Sequence, residues 1–342
     1  MIAPLAKLLD WLAIQLVWGR RARSFLKLGA NPRLEEAIQF LKSPDFIPAQ
    51  SAPAQLEFDP SGRHFRLPTP RPGRFAENNT VYGRLYRCAK CWQERPVIIL
   101  LHGAGGADYH LEFPFMARCC NRAGFNAAML LTPFQFQRRP RQPAGLSWPD
   151  YRLDAEVGYA QAVAEIRALI GWLLAEGCPA VALWGSSYGG ALAGLTACHD
   201  ARLSAAVLAA PGLDLNVFLS AAKQIIRPGL RKALLSQRPA CEALNQTALN
   251  LATLRPVIPK ESILLIEAVH DLFVDRRSLE SLWQTWGQPD IWRLPHSHAS
   301  KILSFGLTGR VLDWLAPRLD KLFSPGRREI SSLARIPAQA PN

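Results

Sequence analysis

The chain has 342 residues, of which 49% are apolar and 20% are charged, and its formal net charge is +13. Such a composition excludes a disordered or fibrous protein, and the length allows one large domain with additions. The longest uncharged apolar runs are shorter than the roughly 18–20 residues that a membrane-spanning helix needs. Seven cysteines without the spacing of a disulfide framework are typical of reduced thiols, so we expect a cytoplasmic protein.

Residues 1–18 carry apolar side chains mostly along one helical stripe, and a basic cluster containing Arg20 and Arg23 follows. A secretory signal places its positive charge before the apolar run, so we predict a helix here, extending over 1–28. This helix either packs on the core of the domain or lies on an anionic membrane surface with Trp11 at the interface. The second placement would make the protein peripheral to a membrane. The other basic residues are scattered and form no recognised nucleic-acid-binding motif, so no nucleic acid partner is expected.

Helical and strand patterns alternate along the rest of the chain. We predict a helical extension (1–50), an α/β domain (51–320) that includes a basic, amphipathic helical cap (211–260), and a flexible C-terminal tail (321–342). The alternation is typical of a mostly parallel central sheet with helices on both faces. The main predicted strands are 81–87, 97–101, 126–131, 180–184, 203–209, 262–266 and 290–294. The main predicted helices are 33–42, 111–123, 153–176, 188–199, 276–287 and 299–318, the last with Ser297 or Ser300 as its N-cap.

The segment GSSYGG (185–190) follows a short apolar strand and precedes a predicted helix. A strand, a G-x-S-x-G pattern and a helix together are typical of a turn that holds a serine nucleophile. Side chains at Gly185 or Gly189 would collide with the neighbouring turn, which explains the glycines. Ser187 is therefore the candidate nucleophile, and the backbone N–H of Tyr188 is a candidate donor to an oxyanion.

A second glycine-rich segment, HGAGG (102–106), directly follows the apolar strand 97–101. Its flexible backbone could bring the N–H of Ala104 or Gly105 to the same oxyanion. Glycines after a strand also cradle phosphates, but the residues here complete neither G-x-G-x-x-G nor G-x-x-x-x-G-K-[ST]. We therefore predict that this segment supplies the second oxyanion donor.

The candidate acid and base follow two later strands. Asp271 lies shortly after the apolar run 262–266, and His298 follows the predicted strand 290–294. An aspartate in this position can hold an imidazole in the tautomer that accepts a proton from serine. Nucleophile, acid and base then occur in the chain order Ser, Asp, His, each beyond the carboxyl end of a strand.

Over roughly residues 80–315 the chain resembles the α/β-hydrolase superfamily, and within it the serine esterases and lipase-like enzymes. The resemblance rests on HGAGG, GSSYGG, the Asp271 loop and SHAS (297–300). It implies an α/β-hydrolase fold and a triad of Ser187, Asp271 and His298. The family often has glycine before the histidine, where this chain has Ser297, so His296 stays open as the base. Glu267, Asp275 and Asp214 stay open as the acid.

The resemblance implies hydrolysis of a carboxylic ester through an acyl-enzyme, without metal or organic cofactor. Basic residues in the predicted cap favour a small-molecule or lipid ester that carries negative charge. An acyltransferase or a thioesterase would carry the same motifs, because the pocket alone decides which acceptor takes the acyl group. A non-catalytic scaffold at a membrane surface is the further alternative.

Overall fold

The computed structural model describes residues 3–18, 26–47, 55–104, 107–110, 112–141, 148–212, 214–300 and 306–319. The strands are β1 Glu57–Phe58, β2 His64–Pro68, β3 Thr80–Tyr86, β4 Val97–Leu101, β5 Asn126–Leu130, β6 Val181–Ser186, β7 Ala205–Ala209, β8 Ile263–Ala268 and β9 Asp290–Leu294. The α-helices are α1 Ala3–Ala13, α2 Leu34–Lys42, α3 Ala107–His110, α4 Phe113–Arg122, α5 Trp148–Ala175, α6 Tyr188–Ala197, α7 Asn216–Lys223, α8 Pro228–Leu235, α9 Arg238–Leu244, α10 Arg276–Thr285 and α11 Leu307–Leu319.

The strands of the described residues form one nine-stranded sheet in the order β1-β2-β3-β5-β4-β6-β7-β8-β9. The first three strands pair antiparallel, and β3 pairs antiparallel with β5. From β5 to β9 every pairing is parallel. The predicted fold class, a mostly parallel sheet with helices on both faces, is confirmed.

The central strands are apolar runs because both faces of the sheet are covered. In β4, Val97, Ile99 and Leu101 pack into one core cluster, whereas Ile98 and Leu100 pack into the other. Successive side chains of a strand point to opposite faces, so a strand buried on both sides needs apolar residues throughout. The carboxyl ends of these parallel strands therefore meet along one edge of a rigid core.

The N-terminal segment is shorter and more irregular than the predicted helix over 1–28. α1 ends at Ala13 and continues as a π-helical turn to Trp18, and 19–25 lie outside the described residues. One side of this helix packs on the core, because Ala6, Asp10 and Ile14 are fully buried. Within the described part of the chain, no helix is both long and apolar enough to cross a membrane.

The predicted cap contains the helices α7, α8 and α9, which pack through apolar side chains onto the same core cluster as α2. Its boundaries, like those of the extension and of the tail, remain predictions. The segment after β5 is anchored by Arg138, which is fully buried and forms two hydrogen bonds of 2.6 and 2.7 Å with the carboxylate of Glu165. This buried ion pair holds the residues that lead out of the sheet towards α5.

The last predicted helix, 299–318, is confirmed over part of its length. α11 covers Leu307–Leu319, and 301–305 lie outside the described residues. Before this gap, Ser297 and Ser300 each accept a hydrogen bond from the other residue's backbone N–H, at 2.8 and 3.3 Å, and Ser300 lies in a 3-10 turn. The reciprocal bonds are those of a capping box with Ser297 in the N-cap position, and they fix the turn that carries His298.

Candidate active site

The turn between β6 and α6 has the backbone of a strained nucleophile turn. Ser187 has φ 53° and ψ −114°, a region that side-chain-bearing residues rarely occupy. A Cβ at Gly185 would lie 2.0 Å from the carbonyl oxygen of Gly189, and a Cβ at Gly189 would lie 2.0 Å from that of Leu101. Only glycine allows these approaches. The predicted collision with the neighbouring turn is confirmed for Gly185, whereas the neighbour of Gly189 is the end of β4. The turn projects Ser187 from the carboxyl edge of the sheet.

Three side chains from separate loops meet at this edge. His298 Nε2 lies 2.8 Å from Ser187 Oγ, and His298 Nδ1 lies 2.7 Å from Asp271 Oδ2. Because Nδ1 faces a carboxylate, it carries the hydrogen, which leaves Nε2 as the acceptor for the serine hydroxyl. The His298 imidazole can take a proton from Ser187, and the Asp271 carboxylate keeps the ring oriented and stabilises its positive charge.

The environment of Asp271 keeps its carboxylate fixed. Its Oδ1 accepts hydrogen bonds from the backbone N–H groups of Phe273 and Val274, at 2.7 and 2.9 Å. The side chain is only 5% exposed, whereas that of His298 is 14% exposed and Ser187 is half-buried. Asp271 is thus shielded from solvent, and Ser187 is accessible from outside. A nucleophile that attacks an external substrate requires this accessibility.

The structure separates the alternatives from this cluster. Glu267 is buried against the guanidinium groups of Arg293 and Arg276, so it serves as an ion-pair partner. Asp275 caps α10 by accepting a hydrogen bond from a backbone N–H. The Asp214 carboxylate bonds Asn216, and burial raises its pKa. The Nδ1 of His296 has no hydrogen-bond partner among the described residues, and burial lowers the pKa of its ring.

The predicted oxyanion donors are located in part. The carbonyl oxygens at the end of β4 lie directly against Gly189, so the chain that continues to Ala104 starts beside the nucleophile turn. Ala104 is exposed, and Tyr188 is half-buried with its ring edge-on to that of Tyr159. Gly105 lies outside the described residues.

Two positioning contacts in this region were missed from the sequence. The fully buried His102 accepts a hydrogen bond at Nε2 from the Thr132 N–H (3.2 Å), and its Nδ1 donates to the Gly103 carbonyl (2.9 Å). This ring ties the start of HGAGG to the end of β5. The second missed residue is Asp10 in α1. Its carboxylate accepts hydrogen bonds from backbone N–H groups of the loops that carry Asp271 and His298. Its only signal in the sequence was one acidic residue within an apolar helix.

The order of the strands and the turn that holds Ser187 are those of the α/β-hydrolase fold. Residues 75–222 match the family model described as "Alpha/beta hydrolase domain containing 18". The resemblance to the α/β-hydrolase superfamily that the sequence motifs indicated is thereby confirmed.

Similar proteins agree on the fold. An esterase of Pyrococcus furiosus matches with a TM-score of 0.50 and 12% identity over 81% of this chain and 96% of its own. An acetyl xylan esterase of Paenibacillus sp. R4 matches with a TM-score of 0.52 and 13% identity over 82% and 92%. In sequence, the chain is 28% identical over 243 residues to an uncharacterized protein of Mycobacterium tuberculosis, covering 67% of this chain and 57% of that protein's length.

Proposed function

We propose that this protein is a serine hydrolase that cleaves a carboxylic ester through an acyl-enzyme intermediate. The observation that carries the proposal is the hydrogen-bonded series Asp271–His298–Ser187, with distances of 2.7 and 2.8 Å. Two other features support it, the strained backbone of Ser187 and the shielding of Asp271. The two solved structures compared above are named as esterases, which agrees with ester chemistry.

The reaction would proceed in two halves. His298 Nε2 takes the hydroxyl proton while Ser187 Oγ forms a bond to the ester carbonyl carbon, and the carbonyl oxygen becomes an oxyanion. The backbone N–H of Tyr188 and that of Ala104 or Gly105 are the proposed donors to this charge. When the carbon–oxygen bond of the ester breaks, His298 returns its proton to the leaving alcohol. Water then repeats the sequence, and the carboxylic acid leaves with Ser187 restored.

The helices between β7 and β8 favour a substrate that carries negative charge. Lys223, Arg227, Arg231 and Lys232 are exposed, and none of them forms an ion pair with a described residue. Residue 212 connects this region to the nucleophile, since the N–H of Gly212 donates to the Ser187 carbonyl oxygen at 3.0 Å. Exposed cations on the helices that follow Gly212 in the chain would attract anionic acyl esters and thioesters.

Product analysis distinguishes hydrolysis from acyl transfer. We expect purified protein with an acyl ester to release the free acid, and added glycerol or a thiol to divert only a minor part of the acyl group. Hydrolysis would be contradicted if the acyl group passed mainly to the acceptor at low acceptor concentration, which would assign an acyltransferase instead. A panel of neutral and anionic esters, lysophospholipids and acyl thioesters then ranks the substrate classes by kcat/KM.

We further propose that an apolar face on the N-terminal helix contacts an anionic membrane. The leucine face consists of exposed side chains at helical spacing together with one neighbouring isoleucine: Leu5, Leu8, Leu12, Leu16 and Ile226. Ile226 joins it because its N–H donates to the Gln15 side chain at 3.3 Å. Lys223 and Arg227 flank that isoleucine and are exposed. Apolar side chains beside exposed cations fit the interface of an anionic bilayer.

Vesicle sedimentation tests this membrane contact. We expect the wild-type chain to pellet with phosphatidylserine-containing vesicles, less so with pure phosphatidylcholine, and less at high salt because screening weakens the attraction. The double variant Leu8→Asp/Leu12→Asp should lose about tenfold in partitioning, since each change removes apolar area that the bilayer would cover. Val257→Asp is the matched control, because Val257 is an equally exposed apolar residue before β8. Equal partitioning of both variants would contradict the proposal.

A further inference from the structure

Asp10 lies in α1, yet its carboxylate is buried among the loops that carry the acid and the base. The residue is 0% exposed. Its Oδ2 accepts hydrogen bonds from the backbone N–H groups of Leu272 (2.9 Å) and His298 (3.0 Å). Its Oδ1 accepts one from the N–H of Ala299, at 2.8 Å. One side chain therefore satisfies three backbone donors that lie 262, 288 and 289 residues away along the chain.

The three donors belong to the residues that fix the geometry of the site. Leu272 follows the candidate acid Asp271 directly, and His298 is the candidate base itself. The two loops extend from the neighbouring parallel strands β8 and β9. Apart from Asp10, the loops are joined by backbone bonds at their bases, among them one of 2.9 Å from the His270 N–H to the His296 carbonyl. The Asp10 carboxylate adds a further connection beside the hydrogen bond between Asp271 and His298.

A buried carboxylate requires such donors, because removing it from water without hydrogen bonds is costly. The loops in turn present three N–H groups that would otherwise have to point at water or at each other. Bonds to a charged acceptor are shorter and stronger than those between neutral groups. The contact therefore restricts how far the Asp271 loop and the His298 loop can move apart.

We propose that Asp10 is a positioning residue of the active site, which holds the acid loop and the base loop at the separation that catalysis needs. The inference rests on the proposed hydrolase function and deepens it. Asp10 touches neither the substrate nor the reacting atoms, and it acts through the backbone of Leu272, His298 and Ala299. The N-terminal helix is accordingly part of the catalytic unit and not only a cover of the core.

The isosteric variant Asp10→Asn tests the proposal. Whichever way the amide is turned, its NH2 group faces at least one of the three backbone N–H groups. At least one hydrogen bond is then lost, because two donors face each other. We expect kcat to fall by about tenfold to hundredfold through misplacement of His298, while KM changes by less than about threefold. Lys7→Gln is the control, because it removes a charge from an exposed position of the same helix and should leave kcat within about twofold.

A rescue experiment separates positioning from stability. Asp10→Ala leaves a pocket lined by three backbone donors, and added formate can place a carboxylate there. We expect formate, but not formamide or chloride, to restore part of the lost kcat. An Asp10→Asn protein that is folded by circular dichroism and retains wild-type kcat would overturn the proposal. Loss of kcat in Asp10→Ala that formate does not restore would do the same.

Hydrogen exchange on the unmodified chain gives a readout that needs no variant to fold. We expect the amides of Leu272, His298 and Ala299 to be protected from exchange, because each donates to the buried carboxylate. Exchange as fast as in an exposed loop would overturn the proposal. Failure of the proposed function is distinct from these outcomes, because the wild-type chain would then neither turn over esters nor react with a fluorophosphonate, whatever the variants do.

Discussion

Replacing Ser187 by alanine should lower kcat/KM for ester hydrolysis by about four to six orders of magnitude. The reason is that Ser187 Oγ is the atom that would form the acyl bond, and it lies 2.8 Å from the imidazole that would take its proton. Steady-state kinetics with a chromogenic ester on protein of verified fold measure the effect.

The adjacent serine provides the control. Ser186 is the last residue of β6 and is half-buried, but the loops of Asp271 and His298 direct their side chains to Ser187. Ser186→Ala should therefore retain kcat/KM within about threefold, since it removes one hydroxyl without a role in proton transfer. Equal loss in both variants would attribute the effect to damage of the turn, and retained activity in Ser187→Ala would contradict the assignment of the nucleophile.

Glu165→Gln should lower the free energy of unfolding by about 3–5 kcal/mol, because it leaves a buried guanidinium without its counter-charge. Arg138 and Glu165 are both 0% exposed and are joined by two hydrogen bonds. Arg138 also donates to the carbonyl oxygens of Leu131 and Asn78, so its displacement loosens the segment after β5. Urea unfolding at constant pH, followed by circular dichroism, measures the change.

An exposed ion pair of the same chemistry gives the comparison. Arg66 and Glu57 are joined at 2.8 Å, but each is 66% exposed. Glu57→Gln should change the free energy of unfolding by less than about 0.5 kcal/mol, because solvent screens the charges of such pairs. A loss of similar size in both variants would contradict burial as the cause.

The sequence was sufficient for the sheet and for the residues that lie close to one another along the chain. The apolar runs 97–101 and 262–266 correspond to β4 and β8, because a strand covered on both faces requires apolar residues throughout. The need for glycine at 185 was explained by a collision within the turn, which the structure shows. These predictions succeeded because each depends on local geometry.

Contacts between distant segments could not be predicted in this way. Nothing in the composition of α1 indicates that Asp10 bonds a loop 262 residues away. Likewise, the Thr132 N–H after β5 donates to the ring of His102 after the neighbouring strand β4. A single histidine after a strand gives no sequence pattern that identifies such a partner. Side-chain partners of this kind depend on tertiary packing.

Mass spectrometry of the fluorophosphonate-treated chain tests the central claim most directly, because the reagent forms a stable adduct only with a serine whose proton a neighbouring base removes. We predict one adduct for each chain, on the peptide that contains Ser187, with labelling abolished in Ser187→Ala and retained in Ser186→Ala. Contradiction would come from a folded wild-type chain that stays unlabelled, as a non-catalytic scaffold would, or from an adduct on another serine with Ser187 unmodified.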